Sequence, residues 1–236
     1  MTRLTIQPAR GSWKQKELIG QYPRLFHLSE AGVWPSIAAH GLLTAAEIVL
    51  TSGLSAEEQA RILSRPRPGR LAVSHPRLGT VFLRDQTPLR PHILEKSLRG
   101  LSAEEWLGLL NDRVFFWLDP RRLEQLLAAR GNRGRPHDVL TVDTASLVRR
   151  HRERIRLSPI NSGAALYPGA PPRGLFTFST IEDYPYAERR CHRPRHAAIA
   201  ELAVVGGVPD MADHVVSVQR ISEADSSLAR PAVGRP

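Results

Sequence analysis

The chain has 236 residues, 42% apolar and 24% charged, enough for a packed core in one large domain or two small ones. No run of 18 apolar residues occurs, and the N-terminus lacks the apolar stretch and small-residue cleavage site of a signal peptide, so a membrane span and secretion are both disfavoured. The only cysteine, Cys191, excludes an internal disulfide and any multi-cysteine zinc site, which leaves a cytoplasmic protein with no membrane partner as the simplest reading.

Net charge is +10 at neutral pH, which invites a polyanionic partner such as nucleic acid or a phosphorylated cofactor. Of the 33 basic residues only three are lysines, Lys14, Lys16 and Lys96. A GC-rich genome produces the same skew, so the two explanations stand level.

Residues 1–22 read as a polar lead-in. "RLFHLS", 24–29, is a short strand. Ser29 can cap a helix through "EAGVWPSIAAH", or the helix starts near Trp34 with Pro35 in its first turn; Gly41 ends it. "LTAAEIVLTS" continues as a second helical piece. "SAEEQARILS", 55–64, opens with a capping box, Ser55 with Glu58, and "RPRPGR", 65–70, is a break. "TVFL", 80–83, is a strand, and "TPLRPHILEKSLRG" a helix entered through proline. A second capping box, Ser102 with Glu105, opens "SAEEWLGLLND". "RVFFWL", 113–118, is a strand, after which Asp119 caps "PRRLEQLLAAR". "HDVLTVDTASLVRR" is a strand followed by a helical turn. "GLFTFST", "AAIAELAVV" and "HVVSVQRI" are strands. Residues 23–222 then form one domain, and 223–236 a disordered tail. Helices crowd the first half and strands the second, an α+β order.

Several chemistries lose ground. There is no G-x-G-x-x-G, no G-x-x-x-x-G-K-[ST], no H-E-x-x-H and no G-x-S-x-G. His137–Asp138 is an HD pair without spaced partners, so no metal is expected there or elsewhere. What stands out is Glu201, a carboxylate inside an apolar strand, where burial without a partner is costly. His27 lies on a strand directly before a helix. Arg84 and Asp85 end another strand. Phe115, Phe116 and Trp117 form an aromatic run, most simply core. "RRCHRPRH" places Arg189, Arg190, Arg193 and Arg195 just before the Glu201 strand.

Three of these stretches, in order, resemble one family. "LFHLSEAGVWPSIAAHGLL", "VFLRDQTPL" and "HAAIAELAVVGGVPD" are similar to the opening, an arginine-ended middle segment and the final glutamate strand of DarT-type DNA ADP-ribosyltransferases. The whole chain also resembles an uncharacterised bacterial family distantly related to DarT. "RDQTPL" departs from the pattern by an extra residue, and no tyrosine occupies the middle position of the superfamily's His–Tyr–Glu set.

The resemblance implies a single-domain ADP-ribosyltransferase fold of the PARP and diphtheria-toxin kind. Its central, mostly antiparallel sheet would be split, with flanking helices. It implies NAD+ as substrate and no metal. Glu201 would be catalytic, bonding the ribose 2′-hydroxyl and stabilising an oxocarbenium-like cation. His27 would contact ribose hydroxyls, and Arg84 the pyrophosphate or the acceptor. Phe116 or Trp117 would stack on nicotinamide. The four arginines would meet the backbone of single-stranded DNA or RNA. By alternation Glu201 would share a face with Ile199 and Ala203, one side of the strand meeting core and the other a cleft. An RNA 2′-phosphotransferase and a non-catalytic protein with "LVRRHRERIR" as contact helix are the alternatives; a protein acceptor and an antidote partner stay open.

Overall fold

A computed structural model describes residues 11–222 other than 130, 193, 195 and 196. A six-stranded antiparallel sheet organises it, built from β1 (Arg24–Glu30), β4 (Arg113–Trp117), β5 (His137–Asp143), β6 (Ile155–Ser158), β7 (Glu201–Val205) and β8 (Val215–Ile221). The spatial order is β6-β7-β4-β1-β5-β8. A separate hairpin joins β2 (Leu71–His75) to β3 (Gly79–Leu83).

Helices cover both faces of the sheet. On one side α1 (Gly11–Gln21), α2 (Trp34–His40) and α8 (Thr144–His151) close the main core, where Leu18, Ile37 and Leu147 meet Leu25, Phe116, Leu140 and Leu202. On the other, α7 (Pro120–Ala128) packs Leu123 and Leu127 onto Leu28 and Val139. Beside it, α5 (Pro91–Ser97) and α6 (Ala103–Asn111) enclose Trp106 with Phe115 and Phe178. The hairpin packs with α3 (Ala45–Leu50) and α4 (Ala56–Ser64) around Val49, Val73 and Leu83. A last helix, α9 (Tyr186–His192), precedes β7. No helix among the described residues is long and apolar enough to cross a membrane.

Local chemistry sets the helix starts. Ser55 with Glu58 and Ser102 with Glu105 both form the reciprocal capping box, and the Asp119 carboxylate accepts from Arg121 N–H ahead of Pro120. The later start of α2 is the one adopted, with Pro35 in its first turn. Ser29 is not its cap; the hydroxyl donates to the Asp138 carbonyl instead.

Other expectations need correction. The polar lead-in becomes helix from Gly11, because Leu18 and Tyr22 bury into the main core. "GLFTFST" holds a 3-10 turn over Leu175–Thr177, with Leu175 and Phe176 exposed, so its apolar residues signalled no strand. Two strands were missed, β2 and β6. The arginine run at 149–156 breaks after His151 into a 3-10 turn and β6, so it is no single contact helix. The tail at 223–236 lies outside the described residues.

The main sheet is unevenly joined. β1 aligns with β5 along its whole length, from Arg24↔Asp143 to Glu30↔His137, and β4 aligns with β7 from Arg113↔Val205 to Trp117↔Glu201. Between β1 and β4 the one registered pair is Phe26↔Trp117. The sheet is therefore two well-paired halves meeting at a narrow seam.

One close backbone approach locks the end of α2 to the turn after β7. Leu42 and Val208 exchange both backbone hydrogen bonds, at 2.8 and 2.9 Å. Gly41 sits there with φ of 82°, and a Cβ on it would lie 2.5 Å from the Pro209 Cα. Gly41→Ala is expected to cost about 2 kcal/mol or more in denaturant unfolding. Gly108→Ala, on exposed α6 surface with nothing within 4 Å of the new Cβ, should gain roughly 0.5–1 kcal/mol. Equal effects would show that the contact at Gly41 is not tight.

Candidate active site at the seam

Glu201 opens β7 rather than lying inside it; residues 197–200 are not strand. The expected two-sided strand is also wrong in detail. Ile199 lies in the main core with Leu202 and Val204, and Glu201 through Val204 are all buried. Register sets Trp117 on one side of Glu201 and Ser158 on the other. The carboxyl is 3% exposed. Its Oε2 accepts the Ser162 N–H at 3.0 Å and the Ser162 hydroxyl at 2.7 Å. Among the described residues Oε1 receives no hydrogen bond, and no ion pair touches the carboxylate.

Burial raises the Glu201 pKa to about 7, against the lowering pull of both Ser162 bonds and of the Arg122 and Arg173 charges. Arg122 comes from α7 and lines an open cleft of about 390 Å³ with Pro159, Ile160, Asn161, Pro171 and Ala197. Glu201 does not line the cleft itself; its carboxyl is enclosed by protein, held by Ser162, the chain neighbour of Asn161 in the cleft wall.

His27 stands at the seam. Its Nδ1 lies 2.9 Å from the Phe115 carbonyl, which can only accept, so Nδ1 carries the proton. Burial, assisted by the Arg84 charge, lowers its pKa to about 4, so the ring is neutral at physiological pH. Nε2 is then an acceptor, without a hydrogen bond among the described residues and suited to a hydroxyl. Continuing the register would set Leu28 opposite Phe115; the imidazole takes that carbonyl instead.

Arg84 follows β3 and donates to Asn132 Oδ1 at 2.8 Å. Its carbonyl accepts from buried Arg67, whose guanidinium also reaches Asn111 Oδ1 at 3.0 Å. The structure therefore sets His27, on β1, within reach of the Arg84 charge, and Glu201, on β7, beside Trp117 of β4 on the other side of the seam. Among the described residues no hydrogen bond joins the two groups. Phe116 is fully buried in the main core, 5.7 Å from the His27 ring. Stacking on nicotinamide needs a free ring face, so Phe116 is corrected to a core residue. Trp117 is only partly buried.

Of the arginines before β7, Arg193 and Arg195 lie outside the described residues. Arg189 and Arg190 belong to α9. Arg190 pairs with Glu17 at 3.4 Å and lies over the Tyr186 ring. Among the described residues the buried Arg189 Nε has no hydrogen-bond partner.

Sequence reading missed Arg122, Asn161, Ser162 and Arg173. "SPINSG" and "APPRG" look like surface loops, and nothing periodic marks them as the wall behind Glu201. It also missed a cluster elsewhere, in which Nε2 of His151 lies 2.6 Å from Asp210 Oδ1 and 3.2 Å from His214 Nε2. The spacing would suit a metal ion. The second contact of His151 does not: Arg154 donates to its Nδ1 at 2.6 Å. That fixes the proton on Nε2, the atom a metal would need, whereas ligand histidines donate from the other nitrogen. Asp138 of the HD pair accepts from Arg220 and from Gly32 N–H.

The Glu201 pKa has a consequence for stability. It rises from an ordinary 4.5 to about 7 on folding. The folded state then holds the proton more tightly, so this contribution is complete below the unfolded value and is lost as pH rises through about 7. Full ionisation removes on the order of 3 kcal/mol. Glu201→Gln cannot ionise and should melt higher than the parent on the alkaline side of that transition. A mutant no more stable than the parent there would show that the charged form is well accommodated.

No curated protein matches the chain. One family model does, that of the family of unknown function DUF7002, over residues 23–215, from the residue before β1 to the first residue of β8. The chain belongs to this DUF7002 family.

Proposed function

We propose that the chain is a NAD+-dependent ADP-ribosyltransferase acting on a nucleic-acid base. The observation that carries this reading is the buried Glu201 carboxylate, one oxygen held by Ser162 and the other, among the described residues, without a hydrogen bond. A carboxylate so held can accept the 2′-hydroxyl of the nicotinamide ribose and face the cation that forms as the glycosidic bond breaks. The split between β1 and β4 and the neutral His27 acceptor support it too, as does the ordered resemblance to DarT-type enzymes. His27 Nε2 would receive a ribose hydroxyl. Arg84, fixed by Asn132, would serve the pyrophosphate or the acceptor. Trp117, next to Glu201 across the strands, would be the aromatic to meet nicotinamide.

The reading makes Glu201 active as the anion. NAD+ cleavage should rise with pH through about 7 as it ionises. Glu201→Gln should lower turnover roughly a hundredfold or more. His27→Ala should raise the KM for NAD+, and Arg84→Ala should lower kcat as well. Mass spectrometry of DNA, RNA and protein incubated with the chain and NAD+ would identify the acceptor. Near-normal turnover in Glu201→Gln would remove the assignment.

A single-stranded acceptor fits a base that must be unstacked to react. Binding should weaken steeply with salt, because each neutralised phosphate releases counterions. Replacing Arg189, Arg190, Arg193 and Arg195 with Ala should lower both the affinity and its salt slope while acceptor-free NAD+ hydrolysis is kept. Unchanged single-strand binding at every salt concentration would move the acceptor site elsewhere.

A further inference from the structure

Arg173 is the most deeply enclosed charge outside the groups assigned so far. It is 0% exposed, and among the described residues its buried Nη2 has no hydrogen-bond partner. An interior guanidinium kept for stability alone is normally paired directly, since an uncompensated buried charge costs several kcal/mol. The partner here is one residue removed. Arg173 Nη1 donates to the Ser162 carbonyl at 3.4 Å, and the Ser162 N–H and hydroxyl donate to Glu201. The Arg173 backbone is itself pinned, donating to the Ser97 carbonyl at 2.9 Å and accepting from Arg99 N–H at 2.9 Å. The guanidinium lies 5.9 Å from the Trp106 ring centroid.

We propose that Arg173 is a positioning residue for Glu201, acting through Ser162. Its guanidinium anchors the Ser162 carbonyl and so aims the two Ser162 donors at one carboxylate oxygen. Its charge reaches the carboxylate without occupying the second oxygen, which a direct ion pair would do. The charged groups facing Glu201 among the described residues are then Arg122 from α7 and Arg173 from the loop after β6, with Ser162 between. The inference rests on reading Glu201 as the reacting carboxylate, but its measurement does not need turnover.

The test follows the Glu201 carboxyl by NMR in the full chain carrying 13C-labelled glutamate, with Glu201→Gln to assign the signal. The parent should titrate near 7. Arg173→Met and Ser162→Ala should each move the midpoint upward, by about one pH unit for loss of a nearby charge or charge-assisted bond. Arg173→Lys, which keeps the charge, should restore most of it. The acid limb of NAD+ hydrolysis should shift with the midpoint, and turnover should recover at higher pH.

A folded Arg173→Met whose Glu201 midpoint matches the parent overturns the proposal. If Arg173→Met does not fold, Arg173→Gln gives the same reading, and failure of both to fold at any pH makes Arg173 structural and overturns it too. Shifted midpoints with no NAD+ cleavage by the parent keep Arg173 as the positioner of Glu201 while removing the proposed reaction.

Discussion

The burial of one carboxylate without a direct counter-ion governs this molecule. Glu201 and Asp138 make the point by contrast, since both are almost wholly buried. Asp138 spends both oxygens: Arg220 and Gly32 N–H bind them, tying β5 to β8 and to the turn after β1. Its chemistry is used up in holding strands. Glu201 spends one oxygen on a single serine and keeps its cations at a distance. The first arrangement gives a structural acid whose oxygens are taken up in holding the fold. The second gives an acid whose proton is exchangeable near neutrality, and a fold that stabilises only the protonated form fully. Proteins keep such a group where it does work that stability does not reward.

The seam between β1 and β4 is the second half of the same arrangement. A continuous ladder would satisfy the Phe115 carbonyl from backbone; here the His27 ring does it. That exchange costs regular pairing but places a neutral imidazole where the two halves of the sheet part. It also fixes the tautomer, because a carbonyl accepts only, and so presents Nε2 as an acceptor. Trp117, at the one registered pair of the seam, connects this side to Glu201 through β7. The strands thus set the spacing of His27, Trp117 and Glu201, which is the more rigid way to hold them.

Much of this was legible in the sequence, for identifiable reasons. Capping boxes at Ser55 and Ser102 and the Asp119–Pro120 start are local signals, and local hydrogen bonds fulfil them. Glu201 stood out because an acid in an apolar run is anomalous whatever the fold. "IRLS" and "LAVSH" were lost because short strands next to arginines and prolines have no clear period. "GLFTFST" failed in the opposite direction, since its β-rich composition serves a turn that exposes Leu175 and Phe176. Ser162 and Arg173 were invisible because their role is purely tertiary. A serine in "INSG" and an arginine in "PPRG" acquire meaning only when β6 and the following loop fold against β7.

The arginine excess is the feature whose meaning changes most between sequence and structure. A sum of charges treats every arginine as a contribution to an external field. Several here are spent on the protein's own backbone and side chains instead. Arg154 donates to the carbonyls of Val205, Gly206 and Gly207, closing the turn after β7. Arg67 ties the end of β3 to α6 through Asn111, and Arg173 braces the Ser162 loop. A guanidinium can do this where an ammonium cannot, because its planar fork binds several carbonyls at once and is less strongly hydrated. The scarcity of lysine therefore has a structural use, whatever its origin in composition. It follows that net charge alone locates no partner surface. Arg122 differs from these braces: it lines the cleft and its charge acts on Glu201. An anionic ligand entering there would meet a cation set beside the carboxylate, so attraction for the ligand and tuning of the acid fall to the same side chain.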